Sequence, residues 1–378
     1  MSGIYLHIPF CKKACHYCNF HFMTSLKLKD DMVDALCREI EMRADYLQER
    51  ALASIYFGGG TPSILSKSDL EKILQTLSRY YSWNQDAEIT LEANPDDLSK
   101  EKIAMLKGFG VNRLSIGIQS FFDSDLQWMN RAHHAGEAVS AILHSQKAGI
   151  SNLTIDLIYG SPYTTHEMWQ ENIQKAVDMG VQHISAYCLT VEVKTALYDM
   201  IKKGRFQALN PDHANEQFAY LIETLTSQGY EHYEISNFAK AGHIAVHNTN
   251  YWKGEKYIGI GPSAHSYNGQ TRSWNIANNK KYIDAISSGV LPTETEYLTQ
   301  ETLYNEYIMT GLRTMWGVNA ERIRKVHAAC YGYFMEAVKK PLSEALIVVE
   351  DNNYVLTLAG KYFADRIAMD LFYIEDED

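Results

Sequence analysis

Three cysteines near the start of the chain, in the segment "IYLHIPFCKKACHYCNF", have the type and spacing needed for metal chemistry. Cys11, Cys15 and Cys18 directly follow an alternating apolar segment. Six cysteines in 378 residues do not make a disulfide scaffold, so this cluster indicates an intracellular thiolate metal site. Because most thiolate sites use four protein ligands, the identity of the fourth ligand decides the chemistry.

Two kinds of fourth ligand are compatible with the CxxxCxxC spacing. His16 or His21 could complete a Cys₃His zinc site. Alternatively, the three cysteines could hold an iron–sulfur cubane and leave one iron open to a small molecule. The cysteine spacing alone leaves both possibilities open.

Glycines and polar residues at predicted strand ends favour a bound small molecule. The segment "YFGGGTPS" (56–63) ends a strand in three glycines, whose backbone can approach a ligand closely and offer N–H donors. Polar residues also stand at the ends of later strands, namely Glu92, Gln119 and Asp156. Buried strand ends are normally apolar unless they hold something, so these residues predict a polar ligand at one rim.

Alternating strands and helices must position these residues. The predicted strands are "IYLHIP", "SIYFGG", "AEITLEA", "RLSIGIQ", "LTIDLIYG" and "HISAYCL". Between them lie amphipathic helical stretches, of which residues 30–48 are the clearest. This alternation predicts an α/β fold with right-handed crossovers and a parallel sheet forming a closed or partial barrel.

The pattern changes after about residue 205. A predicted helix at 212–228 precedes aromatic, glycine-bearing segments that include "HNTNYW" and "YIGIGPSAHSY". After residue 300 helices dominate, and the end of the chain predicts a hairpin turning at "EDNN" followed by a closing helix. We therefore predict a barrel over 1–205, an extension over 206–298 and a mixed helical and hairpin domain over 299–378.

Composition limits the classes of partner. The net charge of −11 argues against nucleic acid as the main partner, because nucleic-acid binders usually carry a basic surface. No apolar run is long enough to span a bilayer, and the start of the sequence lacks a charged-then-apolar leader. We expect a cytoplasmic protein without a membrane anchor.

A set of motifs between residues 5 and 267 carries a resemblance to a known family. The motifs are "HIPFC…C.YC.F", "GGGTPS", "E.NP", "R.SIG.QSF", "R.H", "IDLIYG.P" and "HN..YW". They resemble the radical S-adenosylmethionine (SAM) superfamily, within it the oxygen-independent coproporphyrinogen III oxidase family, and within that the HemW-type heme chaperones. The resemblance implies a partial (β/α)₆ TIM-like barrel of the radical SAM type with a smaller C-terminal domain.

The resemblance also implies a set of cofactor ligands. Cys11, Cys15 and Cys18 would hold a [4Fe–4S] cluster, and the amino and carboxylate groups of SAM would chelate its fourth iron. The residues implied to flank or bind SAM are Tyr5, Tyr17, Gly59, Gly60, Thr61, Glu92, Gln119, Arg131 and Asp156. Arg131 suits a carboxylate because guanidinium binds it bidentately, although the sequence also permits a solvated helix-end charge.

Heme is the third cofactor that the resemblance implies. In "HNTNYW", His247 is a candidate axial ligand with aromatic neighbours able to stack on a porphyrin, although a histidine there could equally cap a turn. His265 in "GPSAHSY" is predicted to face either heme or the SAM adenosine.

Two departures separate the sequence from the oxidase branch. Phe20 stands where the oxidase has a further cysteine, and few residues precede Ile4, where the oxidase has an N-terminal extension. Both features favour a heme chaperone that delivers heme to an unidentified acceptor protein, with transient membrane contact conceivable. The alternatives are oxidative decarboxylation of coproporphyrinogen III to protoporphyrinogen IX, another radical SAM reaction such as tRNA modification, and a zinc or structural protein. Catalytic residues and oligomeric state stay unassigned.

Overall fold

Six parallel strands, adjacent in their order along the chain, form the centre of a twelve-stranded sheet. The computed structural model describes residues 2–374. The central strands are β1 (Ser2–Ile8), β2 (Leu52–Gly59), β3 (Glu88–Ala93), β4 (Arg113–Gln119), β5 (Asn152–Tyr159) and β6 (His183–Cys188). The helices that alternate with them are α1 (Lys29–Met42), α2 (Lys67–Tyr80), α3 (Lys100–Gly108), α4 (Asp123–Trp128), α5 (Ala135–Lys147) and α6 (His166–Asp178). The predicted α/β fold class and all six predicted strands are confirmed.

The barrel formed by these strands is open. β1 and β6 do not pair with each other, because the next part of the chain adds strands at both edges of the sheet. The added elements are α7 (Ala196–Lys202), α8 (Pro211–Ser227), β7 (Glu231–Glu234), β8 (Asn237–Ala239), α9 (Val246–Lys253), β9 (Tyr257–Ile260), β10 (His265–Tyr267), β11 (Thr271–Asn275), α10 (Asn279–Ser287) and β12 (Thr293–Tyr297). β9 continues the sheet beyond β1, and β8 continues it beyond β6.

The C-terminal part has its own hydrophobic core and a three-stranded sheet. Its elements are α11 (Gln300–Leu312), β13 (Val318–Asn319), α12 (Ala320–Val326), α13 (Ala328–Ala337), α14 (Lys339–Ser343), β14 (Ile347–Glu350), β15 (Asn353–Leu356), α15 (Leu358–Lys361) and α16 (Ala364–Asp370). The predicted hairpin turns at Asp351 and Asn352, whose positive φ angles of 48° and 65° match a two-residue hairpin loop. The boundaries at 206 and 299 stay predictions, and residues 375–378 of the last predicted domain lie outside the described region.

Helix α1 is shorter than the predicted 30–48 and ends before Arg43. The Arg43 guanidinium donates to buried Glu39 at 3.1 Å and to the Gly259 carbonyl at 2.9 Å. Glu39 also accepts the Gly261 N–H at 2.8 Å. This buried polar network ties α1 to the loop that follows β9. Within residues 2–374, no helix is long and apolar enough to cross a membrane.

Candidate functional site

A cavity of about 400 Å³, here called the cysteine cavity, opens where the central strands end. All three clustered cysteines line it, and so does every residue predicted to bind SAM except Tyr5. These lining residues are Cys11, Cys15, Tyr17, Cys18, Gly59, Gly60, Thr61, Glu92, Gln119, Arg131 and Asp156. Residues from five different strand ends therefore meet at one rim, as expected for the carboxyl ends of parallel strands in a barrel.

The cysteine thiols have polar neighbours inside this cavity. The Thr61 hydroxyl donates to Cys11 Sγ at 3.4 Å, and Arg131 Nη1 donates to Cys15 Sγ at 3.3 Å. Burial raises the pKa of the Cys11 thiol to about 11, against the opposing effect of the Thr61 hydrogen bond. Burial also raises the pKa of Cys18. Without a metal both thiols are therefore protonated at neutral pH, and loading a cluster must release their protons.

Each of the two nearby histidines has a ring nitrogen bound to a group other than a thiol. His16 Nδ1 lies 2.6 Å from the Trp128 carbonyl oxygen, and His21 Nε2 lies 2.6 Å from Asn279 Oδ1. Across the described residues, no group of three or more His, Cys, Asp or Glu side chains is arranged to hold a single metal ion. A [4Fe–4S] cluster, in contrast, binds each cysteine at a separate iron. The placement of these side chains fits the cluster better than the Cys₃His zinc alternative.

The glycine triplet lies against the backbone that leads into the cysteine loop. Gly59 has φ +106°, a conformation that favours glycine, and a Cβ there would lie 2.6 Å from His7 Nδ1. A Cβ at Gly60 would lie 2.6 Å from the Phe10 carbonyl oxygen and 2.8 Å from that of Ile8. We predicted that these glycines let a ligand approach the backbone closely. In the structure, the absence of a side chain at Gly60 lets the backbone of Ile8 and Phe10 pack against it, next to Cys11.

Two carboxyl groups in the cysteine cavity ionise near neutral pH. Glu92 accepts the Tyr56 hydroxyl at 2.8 Å and the Gly59 N–H at 3.1 Å. Burial, with the charge of Asp156 as a smaller contribution, raises the pKa of Glu92 to about 7. Burial likewise raises the pKa of Asp156 to about 6, although the Ser185 hydroxyl opposes the shift. A cationic ligand would favour the ionised form of both groups.

Arg131 is part of the cavity wall and not a solvated helix-end charge. Its Nη2 donates to Asn94 Oδ1 at 2.8 Å and to the Gly117 carbonyl at 2.6 Å, which fixes the guanidinium. Its Nε is buried and has no hydrogen-bond partner among the described residues. An unsatisfied buried donor on a fixed guanidinium suits an anionic ligand such as a carboxylate.

Sequence reasoning missed several residues of this cavity. Asn94, Tyr187 and Cys188 line it, and Tyr56 holds Glu92 in place. Asn94 follows β3 in the "E.NP" motif, so its strand-end position was the available signal. Gln119 reaches the cavity through a bulge at the end of β4, where its φ is 69°. No sequence pattern indicated that conformation, which is rare for a residue other than glycine.

A second and larger cavity of about 760 Å³, here called the aromatic cavity, lies beside the first. Its wall includes Tyr5, Tyr251, His265 and Tyr307. Tyr5 therefore lines this second cavity, and its predicted place beside the cluster and SAM stays a prediction. Asn19 and Phe20, which directly follow Cys18, line both cavities, so the cysteine loop separates them.

The two predicted heme histidines lie in different environments. His265 lies on the wall of the aromatic cavity, where partial burial and the charge of Arg272 lower its pKa. His247 is buried beside β2, with Nδ1 2.8 Å from Ser54 Oγ and Nε2 2.7 Å from the Tyr251 hydroxyl. Both ring nitrogens of His247 therefore have hydrogen-bond partners in this structure, and its role as an axial ligand stays a prediction.

The burial of His247 gives a testable dependence of stability on pH. Burial lowers its pKa from 6.5 to about 3, so between these values the unfolded chain binds a proton that the folded chain does not. This residue should therefore reduce stability as pH falls below 6.5, by about 1.4 kcal/mol per pH unit. We expect His247→Asn to remove that contribution from the slope of unfolding free energy against pH, measured with urea between pH 6.5 and 4.5. Ser54→Ala is the matched control, because it removes a hydrogen-bond partner but keeps the titrating group; equal slopes in all three proteins would contradict the prediction.

The open barrel with a three-cysteine loop at its rim defines a radical SAM protein. Residues 5–176 match the family model described as the Radical SAM superfamily. The whole fold is similar to that of Escherichia coli coproporphyrinogen III oxidase, with a TM-score of 0.85 over 98% of this chain and 90% of that one, at 24% identity.

Near full-length relatives specify the family further. The chain is 35% identical to the Bacillus subtilis heme chaperone HemW, covering 97% of this chain and 98% of the relative. It is 32% identical to HemW of Mycobacterium tuberculosis over 98% of this chain and 94% of the relative. It is also 32% identical to the mouse mitochondrial radical S-adenosyl methionine domain-containing protein 1, over 84% of this chain and 74% of the relative. The chain belongs to the HemW heme-chaperone family.

Proposed function

We propose that this protein binds heme, holds a SAM-coordinated [4Fe–4S] cluster and passes heme to an acceptor protein. The observation that carries the proposal is the 35% identity to a heme chaperone over 97% of this chain and 98% of the relative. Two adjoining cavities, one lined by the cysteines and one by aromatic residues, support separate sites for the cluster and for heme.

The chain's own residues have distinct roles in the cysteine cavity. Cys11, Cys15 and Cys18 would hold the cluster, which together with SAM supplies one-electron chemistry when bound. Arg131 has a free buried donor for the SAM carboxylate, and Glu92 offers negative charge to the cationic part of SAM.

We propose His265 as the heme ligand. Its imidazole faces the aromatic cavity, and a lowered pKa keeps it neutral, the form that binds iron. Neighbouring tyrosines of the same wall can stack on a porphyrin ring. His247 instead joins α9 to β2 through its hydrogen bond with Ser54, and its other ring nitrogen bonds to Tyr251 on α9 itself.

Oxidase activity is not proposed. Phe20, which occupies the position of the oxidase's further cysteine, is 70% exposed and has no group that transfers protons or electrons. The chain should therefore bind heme without converting coproporphyrinogen III to protoporphyrinogen IX.

Optical titration of the anaerobically reconstituted protein tests the proposal. A broad band near 400 nm that responds to SAM would report the cluster, and a sharp Soret band on adding hemin would report heme. To measure transfer, an acceptor apoprotein is added and then separated from this protein. Transfer of heme lowers the Soret absorbance of the fraction that contains this protein. A protein that binds no heme, or that turns over coproporphyrinogen III, would overturn the proposal.

Variants at the two histidines give a directed prediction. We expect His265→Ala to weaken heme affinity by about 10-fold, because an iron ligand is lost. His247→Ala should lower stability while leaving the affinity of the folded protein within about twofold, because His247 is already occupied by Ser54 and Tyr251. Soret titrations at a temperature where both variants are folded measure this difference. The reverse ranking would return the ligand role to His247.

A further inference from the structure

The aromatic cavity carries an excess of positive charge within an acidic chain. Its wall includes Lys253, Arg272 and Arg322, whereas Glu306 is its single carboxylate among the described residues. The whole chain has a net charge of −11, so this local balance is opposite to that of the molecule. A cavity with fixed charge of one sign attracts ligands of the other sign.

Two of these cations lie against aromatic rings. Arg322 Cζ lies 4.3 Å from the centre of the Tyr307 ring, and Lys253 Nζ lies 4.6 Å from that of the Trp316 ring. Cation–π contact orients a charged group without neutralising it, so both groups keep donors for an incoming anion.

The third cation has a carboxylate partner but retains free donors. Arg272 Nη1 lies 2.6 Å from Glu306 Oε1. A guanidinium has five N–H donors in a planar arrangement, and this contact uses only one side of it. Glu306 thus holds Arg272 in place at the cavity wall.

One face of the β10–β11 hairpin combines the charge with the heme histidine. His265 pairs with Trp274 and Tyr267 pairs with Arg272 across the two strands, and alternate residues of a strand share a face. His265, Tyr267 and Arg272 all line the cavity. An imidazole, a flat ring and a guanidinium are therefore presented together.

We infer that the aromatic cavity selects a planar macrocycle bearing carboxylate groups, and that Arg272 and Arg322 bind those carboxylates. The inference rests on the proposed function and adds to it the part of the ligand that is recognised. The propionates of an iron porphyrin are such carboxylates, and the aromatic wall accommodates its flat apolar body. Recognition then depends on the ligand's charge as well as on its iron.

Titration with hemin and with its dimethyl ester tests this inference, because the ester keeps the macrocycle and the iron but lacks the charges. We expect the wild-type protein to bind hemin at least 10-fold more tightly than the ester, with the difference shrinking as salt is raised. Arg272→Gln and Arg322→Gln should each weaken hemin binding by about fivefold and leave ester binding unchanged. Glu306→Gln should strengthen hemin binding, an opposite sign that general damage to the fold would not produce.

Arg324→Gln is the matched control. Arg324 lies on α12, as Arg322 does, but it pairs with Glu321 and does not line the cavity. The Arg324→Gln variant should bind hemin and its dimethyl ester with the same affinities as the wild-type protein. Equal affinity of wild-type protein for hemin and ester, or an Arg322→Gln variant that matches Arg324→Gln, would overturn this inference while leaving heme binding intact. Failure of the wild-type protein to bind either ligand would instead refute the proposed function.

Discussion

Replacing Cys15 with serine is expected to abolish cluster loading and SAM binding while leaving the barrel folded. The three cysteines line one cavity, and three thiolates are the minimum that holds the cubane while leaving an iron for SAM. A serine hydroxyl is a much poorer iron ligand than a thiolate. Iron and sulfide content after anaerobic reconstitution, the visible spectrum and SAM titration measure the loss, and circular dichroism monitors the fold.

Cys188→Ser is the matched control for this experiment. Cys188 also lines the cysteine cavity but lies at the end of β6, far along the chain from the cysteine loop. It should load a full cluster. A Cys15→Ser protein that still carries four irons and binds SAM, or a Cys188→Ser protein that loses both, would refute the ligand assignment.

Replacing Gly60 with valine should also prevent cluster and SAM binding, and it should destabilise the protein. Even a Cβ at this position would lie 2.6–2.8 Å from backbone atoms of Ile8 and Phe10, which cannot move aside as a flexible side chain would. Overpacking of this kind costs about 1–3 kcal/mol. The displaced segment leads directly to Cys11, so its movement should misplace the first cluster ligand. Urea unfolding of the apoprotein and cluster loading of the folded variant measure the two effects separately.

Gly108→Ala provides the comparison. Gly108 ends α3, and a Cβ there would meet no atom within 4 Å. Alanine at a compatible position should keep or slightly raise stability, because it reduces the freedom of the unfolded chain. If Gly60→Val matched Gly108→Ala in stability, cluster content and SAM affinity, the close approach at Gly60 would have no functional importance.

The position of the cysteine cavity could be predicted because parallel strands bring their carboxyl ends to one edge. Glu92, Gln119 and Asp156 stand at such ends, so their sequence positions sufficed to place them at one rim. Arg131 lies in a loop between helices, where the residues alone left a solvated charge equally open. Its contacts with Asn94 and Gly117, which are distant in sequence, decide its position.

The heme side was harder to predict because it depends on which way a side chain points. His247 belongs to a recognisable motif, but its exposure depends on whether Ser54 and Tyr251 occupy its nitrogens. Likewise, the cations of the aromatic cavity come from α9, β11 and α12, three elements with no common sequence pattern. Only packing of these elements brings Lys253, Arg272 and Arg322 to one wall.

The sequence by itself determined the strand and helix alternation, the hairpin turn and the grouping of the cysteines, because each depends on local periodicity or on short spacing along the chain. The tertiary structure decided that the barrel stays open, that Tyr5 lines a second, positively charged cavity beside the cysteine cavity, and that His247 is buried. These features depend on contacts between residues far apart in the chain, and such contacts follow from how elements pack and not from the pattern within any one of them.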